Sequence, residues 1–196
     1  MADPRFLTGH FLISGVQLYD PNFFRTVVLM VQHGKDGAFG LVVNRPAERT
    51  LGEILTPEVS GAAMDIPVYI GGPVQQDYLF ALHSGLPLTS GGESAVRPIP
   101  GVVFEPATRD LIRYLSEEWP GSAGGGKPEI RLYAGYSGWA PGQLERELRE
   151  HSWFTHQATA DIVFHPDPET AWKTALSEKG GYFKFVADTG YMPSIN

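Results

Sequence analysis

The chain has 196 residues, no cysteine, and 15 basic against 22 acidic residues, a formal net charge of −7. The missing thiol excludes disulfides, thiolate catalysis and Cys-ligated zinc, and the acidic balance disfavours phosphate backbones because no run of Lys or Arg gathers its cations. The length fits one domain, residues 1–196, able to bury its own core.

The 23 glycines and 16 prolines predict many turns between short elements. The opening MADPRFLTGHFLISG does not read as a signal peptide, because its apolar run FLI is too short and Asp3 stands where positive charge is wanted. The longest apolar stretch, Val27 to Val31, is far shorter than a membrane span. The expected location is the cytoplasm.

Phe11 to Ser14 reads as a strand. Asp20-Pro21-Asn22 is turn chemistry. Thr26 to His33 is a β-branched run whose continuous apolar character predicts a strand covered on both faces, and the turn Gly34 to Gly37 pairs it with a second strand, Ala38 to Asn44. Asn44-Arg45-Pro46 ends that strand. Thr50 to Leu55 has the spacing of a capping box, with Thr50 as N-cap and Glu53 three residues on. Val68 to Gly71 and Tyr78 to His83 are further strands, residues 84–100 a loop or irregular hairpin, and Gly101 to Glu105 another strand.

Pro106 is expected to open a helix running to Trp119, with Leu111, Ile112, Leu115 and Trp119 on one face. Residues 120–128 form a connector, Ile130 to Ala134 a strand, Gly135 to Pro141 a turn, and Gly142 to Glu150 a helix. Trp153 to His156 and Asp161 to Phe164 read as strands, and Asp167 to Glu178 as the last helix. The tail from Tyr182 carries no assignment. Hairpins first and few helices predict an α+β fold with a mixed, largely antiparallel sheet.

The segment Gly135 to Glu147 is the most unusual. Ser137 between a strand and a helix resembles a nucleophile elbow, but the second glycine falls one residue early and Trp139 takes its place. The alternative is a turn in which Gly135 and Gly138 supply dihedrals while Tyr136 and Trp139 pack. Gly71-Gly72-Pro73 lacks the Lys-Ser/Thr of a phosphate loop. Arg45, at a strand end, can hold an oxyanion bidentately or pair structurally with an acid such as Asp20. No His-Glu-x-x-His or Asp-x-Asp pattern occurs, so neither a metal site nor a cofactor is indicated, and no catalytic set stands out.

Three blocks taken together resemble the YqgE/AlgH family of small bacterial proteins: GHFLIS with LYDPNFFRTVVLMVQHGKDGAFGLVVNRP and LGEIL (9–55), VYIGGPV (68–74), and LYAGYSGWAPGQLEREL (132–148). The resemblance covers nearly the whole chain. It implies a single α+β domain whose bifurcated sheet forms a pseudo-barrel with flanking helices, and it implies no agreed activity or cofactor. The functional reading is a non-catalytic regulatory module that binds a protein or small ligand. Its expected groove is built where the turns 20–23, 44–46, 71–74 and 135–143 converge, with Asp20, Asn44, Arg45, Gly71, Gly72, Tyr136, Ser137, Gly138, Trp139 and Gln143 as candidate binding residues. The alternatives are a serine hydrolase using Ser137 and a transcriptional regulator of the AlgH type. Nucleic acid is disfavoured, since the helices carrying Arg109, Arg113, Arg146 and Arg149 interleave them with acids.

Overall fold

A computed structural model describes residues 6–86, 95–119 and 128–191. In chain order the strands are β1 (His10–Ser14), β2 (Val27–Gly34), β3 (Gly37–Val42), β4 (Pro46–Thr50), β5 (Pro67–Ile70), β6 (Val74–His83), β7 (Val96–Ile99), β8 (Val102–Pro106), β9 (Ile130–Trp139) and β10 (Trp153–Gln157). The helices are α1 (Leu51–Leu55), α2 (Arg109–Glu117), α3 (Gln143–Arg149), α4 (Ala160–Val163), α5 (Pro168–Ser177) and α6 (Gly181–Thr189).

The sheet runs β10-β1-β2-β3-β9-β6-β8-β7, with β4 and β5 branching off it. It is antiparallel except where β5 lies parallel to β9, and its path does not close by strand pairing. The branch arises on β9. One edge of this strand takes β5 along Leu132 to Ala134 and then β3 along Ser137 to Trp139, while the other edge takes β6. The expected α+β class and bifurcated, largely antiparallel sheet are therefore present.

Main-chain approach at the branch leaves no room for side chains. A Cβ on Gly71 would lie 2.3 Å from the Gly135 carbonyl oxygen, and one on Gly72 2.2 Å from the Tyr136 carbonyl carbon. Gly135 itself sits at φ 70, in the left-handed region. These glycines, which read as turn residues in the sequence, are what allow three strands to meet.

Alternation in the strands builds cores on both faces. Phe11, Ile13, Val27, Leu29, Val31, Leu41 and Val43 join one cluster with Trp172, Val186 and α4, whereas Leu12, Val28, Met30 and Val42 join another with Trp139, Leu144 and Trp153. That is why β2 is almost continuously apolar, as a strand covered on both faces requires. A third cluster packs α1 and α2 against β5, β6 and β9. Arg131 of β9 is buried, lies 4.8 Å over the Tyr69 ring, and donates to the carbonyls of Val43, Val163 and His165. It thereby satisfies main-chain acceptors at the end of α4.

Several local expectations are met. The β2–β3 hairpin pairs Gly34 with Gly37, and the capping box at Thr50 and Glu53 is complete in both directions. Others need correction. Gly135 to Pro141 is not a turn: β9 continues through Trp139, because the glycines serve close approach within a strand. Asp161 to Phe164 is not a strand but mostly the short helix α4, since a brief apolar run has no period to separate the two. Pro106 does not open α2 but ends β8 opposite Phe80, and Thr108 caps the helix by accepting from the Leu111 amide. The tail forms α6, which buries Val186 and Ala187. Parts of the 84–100 loop and of the 120–128 connector lie outside the described residues, while 96–99 forms β7.

Gly72→Ala is expected to cost about 3 kcal/mol or more of unfolding free energy, because backbone on both sides must move. Gly34→Ala, with nothing within 4 Å of the added carbon, is expected to stay within about 1 kcal/mol of the parent. Urea unfolding of the two variants checks the contrast.

Candidate functional site

Three of the four turns expected to converge share a cleft, whereas 44–46 lines a separate hollow. Asp20, Phe23, Pro73, Gly138, Trp139 and Gln143 line one cleft of about 410 Å³, together with Leu18, Glu147, Ser152 and Trp153. Each arrives for a local reason. The Asp20 carboxylate accepts from the Asn22 amide and sets the turn, β9 carries Trp139 to its end, and α3 places Gln143 and Glu147 one turn apart. Trp153 opens β10.

Glu147 organises the cleft. Its Oε2 accepts from both indole nitrogens, Trp139 Nε1 and Trp153 Nε1, each at 2.8 Å, and its Oε1 accepts from Gln143 Nε2 at 2.9 Å. Gln143 Oε1 in turn accepts from the Ala140 amide at 3.0 Å. The two indoles meet edge to face at 6.1 Å, and the Phe23 ring completes the wall 5.3 Å from Trp153 and 6.3 Å from Trp139. The result is an aromatic-walled hollow with an amide and a carboxylate whose hydrogen bonds are directed inward to the protein.

The remaining candidates lie behind or beside this cleft. The Ser137 hydroxyl is wholly buried and donates to the Gly71 carbonyl at 3.2 Å, pinning β9 to the branch. That environment does not present a nucleophile to a substrate. Gly71 and Gly72 form the crossing itself. Tyr136 points to the other face of β9 and packs 4.7 Å from Phe39. Asn44 accepts from the Val27 amide and donates to the Arg25 carbonyl. Arg45 donates to the carbonyls of Pro21, Asn22 and Phe24, so it braces the 20–26 loop whose Phe23 faces the cleft. Burial lowers the Arg45 pKa, an effect Asp20 opposes.

The sequence reading does not single out Glu147, which only ends the unusual segment 135–147, or Trp153, which reads only as a strand residue. The available signal was the four-residue step from Gln143 to Glu147, set between two tryptophans.

The histidines are distributed among structural contacts. His33 is buried, accepts from the Leu7 amide at Nδ1, and lies 3.4 Å from Glu145. His156 lies 3.4 Å from Glu178. His83 is fully buried, and its Nδ1 accepts from the amides of Gly85 and Leu86. Its Nε2 lies 3.2 Å from Glu105 without hydrogen-bond alignment. Burial, with Arg97 adding to it, lowers His83 to about 4, and burial raises Glu105.

A family model described as AlgH-like matches residues 11–184. The chain is similar to a UPF0301 protein of Chlorobaculum tepidum, 36% identical over 189 residues, which span 96% of this chain and 95% of the relative. A UPF0301 protein of Ruegeria pomeroyi is 38% identical over 178 residues, 89% and 92% of the two chains. The solution structure of the AlgH protein from Pseudomonas aeruginosa shares 30% identity and a TM-score of 0.74, covering 98% of this chain and 99% of that one. The crystal structure of protein DIP2367 from Corynebacterium diphtheriae, at 21% identity and a TM-score of 0.71 over 95% and 93% of the chains, shares the fold.

Glu147→Ala is expected to leave two indole N–H groups without an acceptor and to cost about 2–4 kcal/mol, with loss of near-ultraviolet dichroism from the indoles. Glu147→Gln, which keeps one carbonyl oxygen for both, is expected to cost less. Acidification provides a second check. The unfolded His83 takes a proton near 6.5 and the folded one near 4, so stability is whole above the first value and falls through this window, by about 3 kcal/mol at its foot. Glu105 acts in the opposite sense. The difference between the parent and His83→Asn across pH 6.5 to 4 therefore isolates the imidazole; equal slopes for the two proteins would contradict its assignment.

Proposed function

The chain belongs to the AlgH-like family, and from that premise we propose that it is a non-catalytic regulatory module of the cytoplasm whose aromatic cleft takes a protein segment or a small ligand. One observation carries this reading: a concave surface walled by Phe23, Trp139 and Trp153 has a few polar groups at its rim, the composition usual for a binding site. Aromatic walls supply apolar contact, and Asp20 and Ser152 supply direction.

The absence of chemistry in this reading rests on where the polar atoms point. Glu147 gives both oxygens to the indoles and Gln143, which holds the walls rather than moving protons. The serine-hydrolase alternative is weakened by Ser137, whose hydroxyl is spent on the Gly71 carbonyl. For the transcriptional-regulator alternative, Arg113 of α2 is paired with Asp110 at 2.8 Å and Arg146 of α3 turns back to the Gly142 carbonyl. These two contacts favour reading α2 and α3 as mixed-charge faces rather than the basic face that duplex recognition uses. Among the described residues no helix is long and apolar enough to cross a membrane.

Pro73 is exposed at the rim, so Pro73→Arg is expected to block the cleft while the melting temperature stays near that of the parent. Affinity capture from the native cell with parent and variant side by side, followed by mass spectrometry of proteins and small molecules, tests the reading. A protein or compound retained by the parent and lost from the variant supports it. Identical retention by both refutes it.

A further inference from the structure

The loop that supplies Phe23 to the aromatic cleft has a second side. There, Phe24, Arg25, Thr26, Asn44, Arg45, Thr170 and Lys173 line a separate hollow of about 380 Å³. Three of these seven side chains are cationic and, among the described residues, none of the lining is a carboxylate. In a chain with 15 basic and 22 acidic residues, that local excess runs against the composition and is the kind of concentrated field that draws an anion.

The cations are held in different ways. Arg45 is braced by its hydrogen bonds to the Pro21, Asn22 and Phe24 carbonyls. Its Nη1 serves two of them and its Nη2 one, leaving a guanidinium of fixed position that still lines the hollow with N–H capacity on Nη2 and Nε. Arg25 lies 5.2 Å over the Phe24 ring and 5.6 Å over the buried Trp172 ring, a stacking that orders the guanidinium before any ligand arrives. Its backbone adopts φ 52, uncommon for a residue with a side chain, and its carbonyl is fixed by Asn44 Nδ2. Lys173 reaches the hollow from α5. Asp20, the acid that acts on Arg45, lines the aromatic cleft instead.

We propose that this hollow is a binding site for a phosphate monoester, with the phosphoryl group among Arg25, Arg45 and Lys173 and an apolar or aromatic body against Phe24. Three cations match a phosphate monoester, which carries nearly two negative charges at neutral pH, better than a carboxylate, which carries one. The volume lies within the range of small-ligand pockets, about 300–1,000 Å³, and exceeds what a bare ion needs. Phe24, 42% exposed at the margin, offers a ring face to the remainder of the ligand. The site is independent of the aromatic cleft.

Phenyl phosphate, benzoate and inorganic phosphate, each titrated into the full chain at about 0.15 M ionic strength and followed by amide chemical shifts, test the proposal. Phenyl phosphate is expected to shift Phe24, Arg25, Thr26 and Thr170 saturably and to bind at least about tenfold more tightly than benzoate. Inorganic phosphate is expected to move the same amides with weaker affinity, because it lacks the body that meets Phe24. Lys173→Ala, an exposed change on α5, is expected to weaken phenyl phosphate about tenfold, as is Arg25→Gln; thermal melting verifies that both remain folded. Pro73→Arg is expected to leave this binding unchanged, so failure here and failure at the cleft are read separately. The absence of a saturable shift, equal affinity for benzoate, or unchanged affinity in Lys173→Ala would each overturn the proposal.

Discussion

The architecture depends on a close main-chain crossing. Gly71 and Gly72 pass so near Gly135 and Tyr136 that an added Cβ would lie 2.3 Å and 2.2 Å from their main-chain atoms. This contact lets β9 exchange one neighbour, β5, for another, β3, along the same edge. The Val42 amide donates to the Gly71 carbonyl and the Gly71 amide to the Ala134 carbonyl, so the crossing is hydrogen-bonded as well as close. Ser137 adds a side-chain bond to that same Gly71 carbonyl. A serine whose sequence context suggested reactivity is thus part of the framework, and the reason lies in main-chain satisfaction: a buried carbonyl at a branch needs donors that a regular ladder would otherwise supply.

From the crossing, β9 delivers Trp139 to the start of α3, and Glu147 then ties two tryptophans from distant parts of the chain to one carboxylate oxygen. Two N–H donors with no acceptor would oppose burial of the indoles, which are 6% and 5% exposed. Supplying a charged acceptor on a neighbouring helix removes that cost and fixes both ring planes. The cleft therefore has walls set by hydrogen bonds rather than by packing alone, and its shape is largely formed before any ligand reaches it.

Much of this was legible from residue pattern. The β2–β3 hairpin showed itself through the Gly34 to Gly37 turn, α1 through Thr50 and Glu53, and the two-sided burial of β2 through its unbroken apolar run. Of the four turns expected to converge, those near 20, 73 and 138 do so, and the one at 44–46 lines the other hollow. What failed shares a physical cause. Glycine marks both turns and close approaches, and only the third dimension distinguishes them, so the end of β9 was read as a turn. Ile162 and Val163 favour strands locally, yet they are buried in α4, whose terminal acceptors are met by Arg131 from 32 and 34 residues earlier in the chain. α6 was hidden because the exposed Tyr182 and Phe185 blurred the apolar face made by Phe183, Val186 and Ala187. Glu147 escapes the residue pattern because only the fold brings Trp139 and Trp153 to its carboxylate.

The loop from Asp20 to Thr26 brings these threads together. Adjacent residues serve opposite sides: Phe23 stacks toward the tryptophans, while Phe24 and Arg25 turn to the cationic hollow. Asymmetry of this kind in an exposed loop requires a backbone that does not flex, and the bracing is correspondingly dense. Arg45 takes three loop carbonyls, Asn44 takes a fourth, and the Thr26 amide donates to the buried Ser14 hydroxyl. An isolated guanidinium serving carbonyls stabilises a loop only modestly through each bond, but five anchors on one short segment fix its register. The sequence Asn44-Arg45 at the end of the β2–β3 hairpin is thus explained as a clamp, and it lines the cationic hollow while holding from behind the loop that supplies Phe23 to the aromatic cleft.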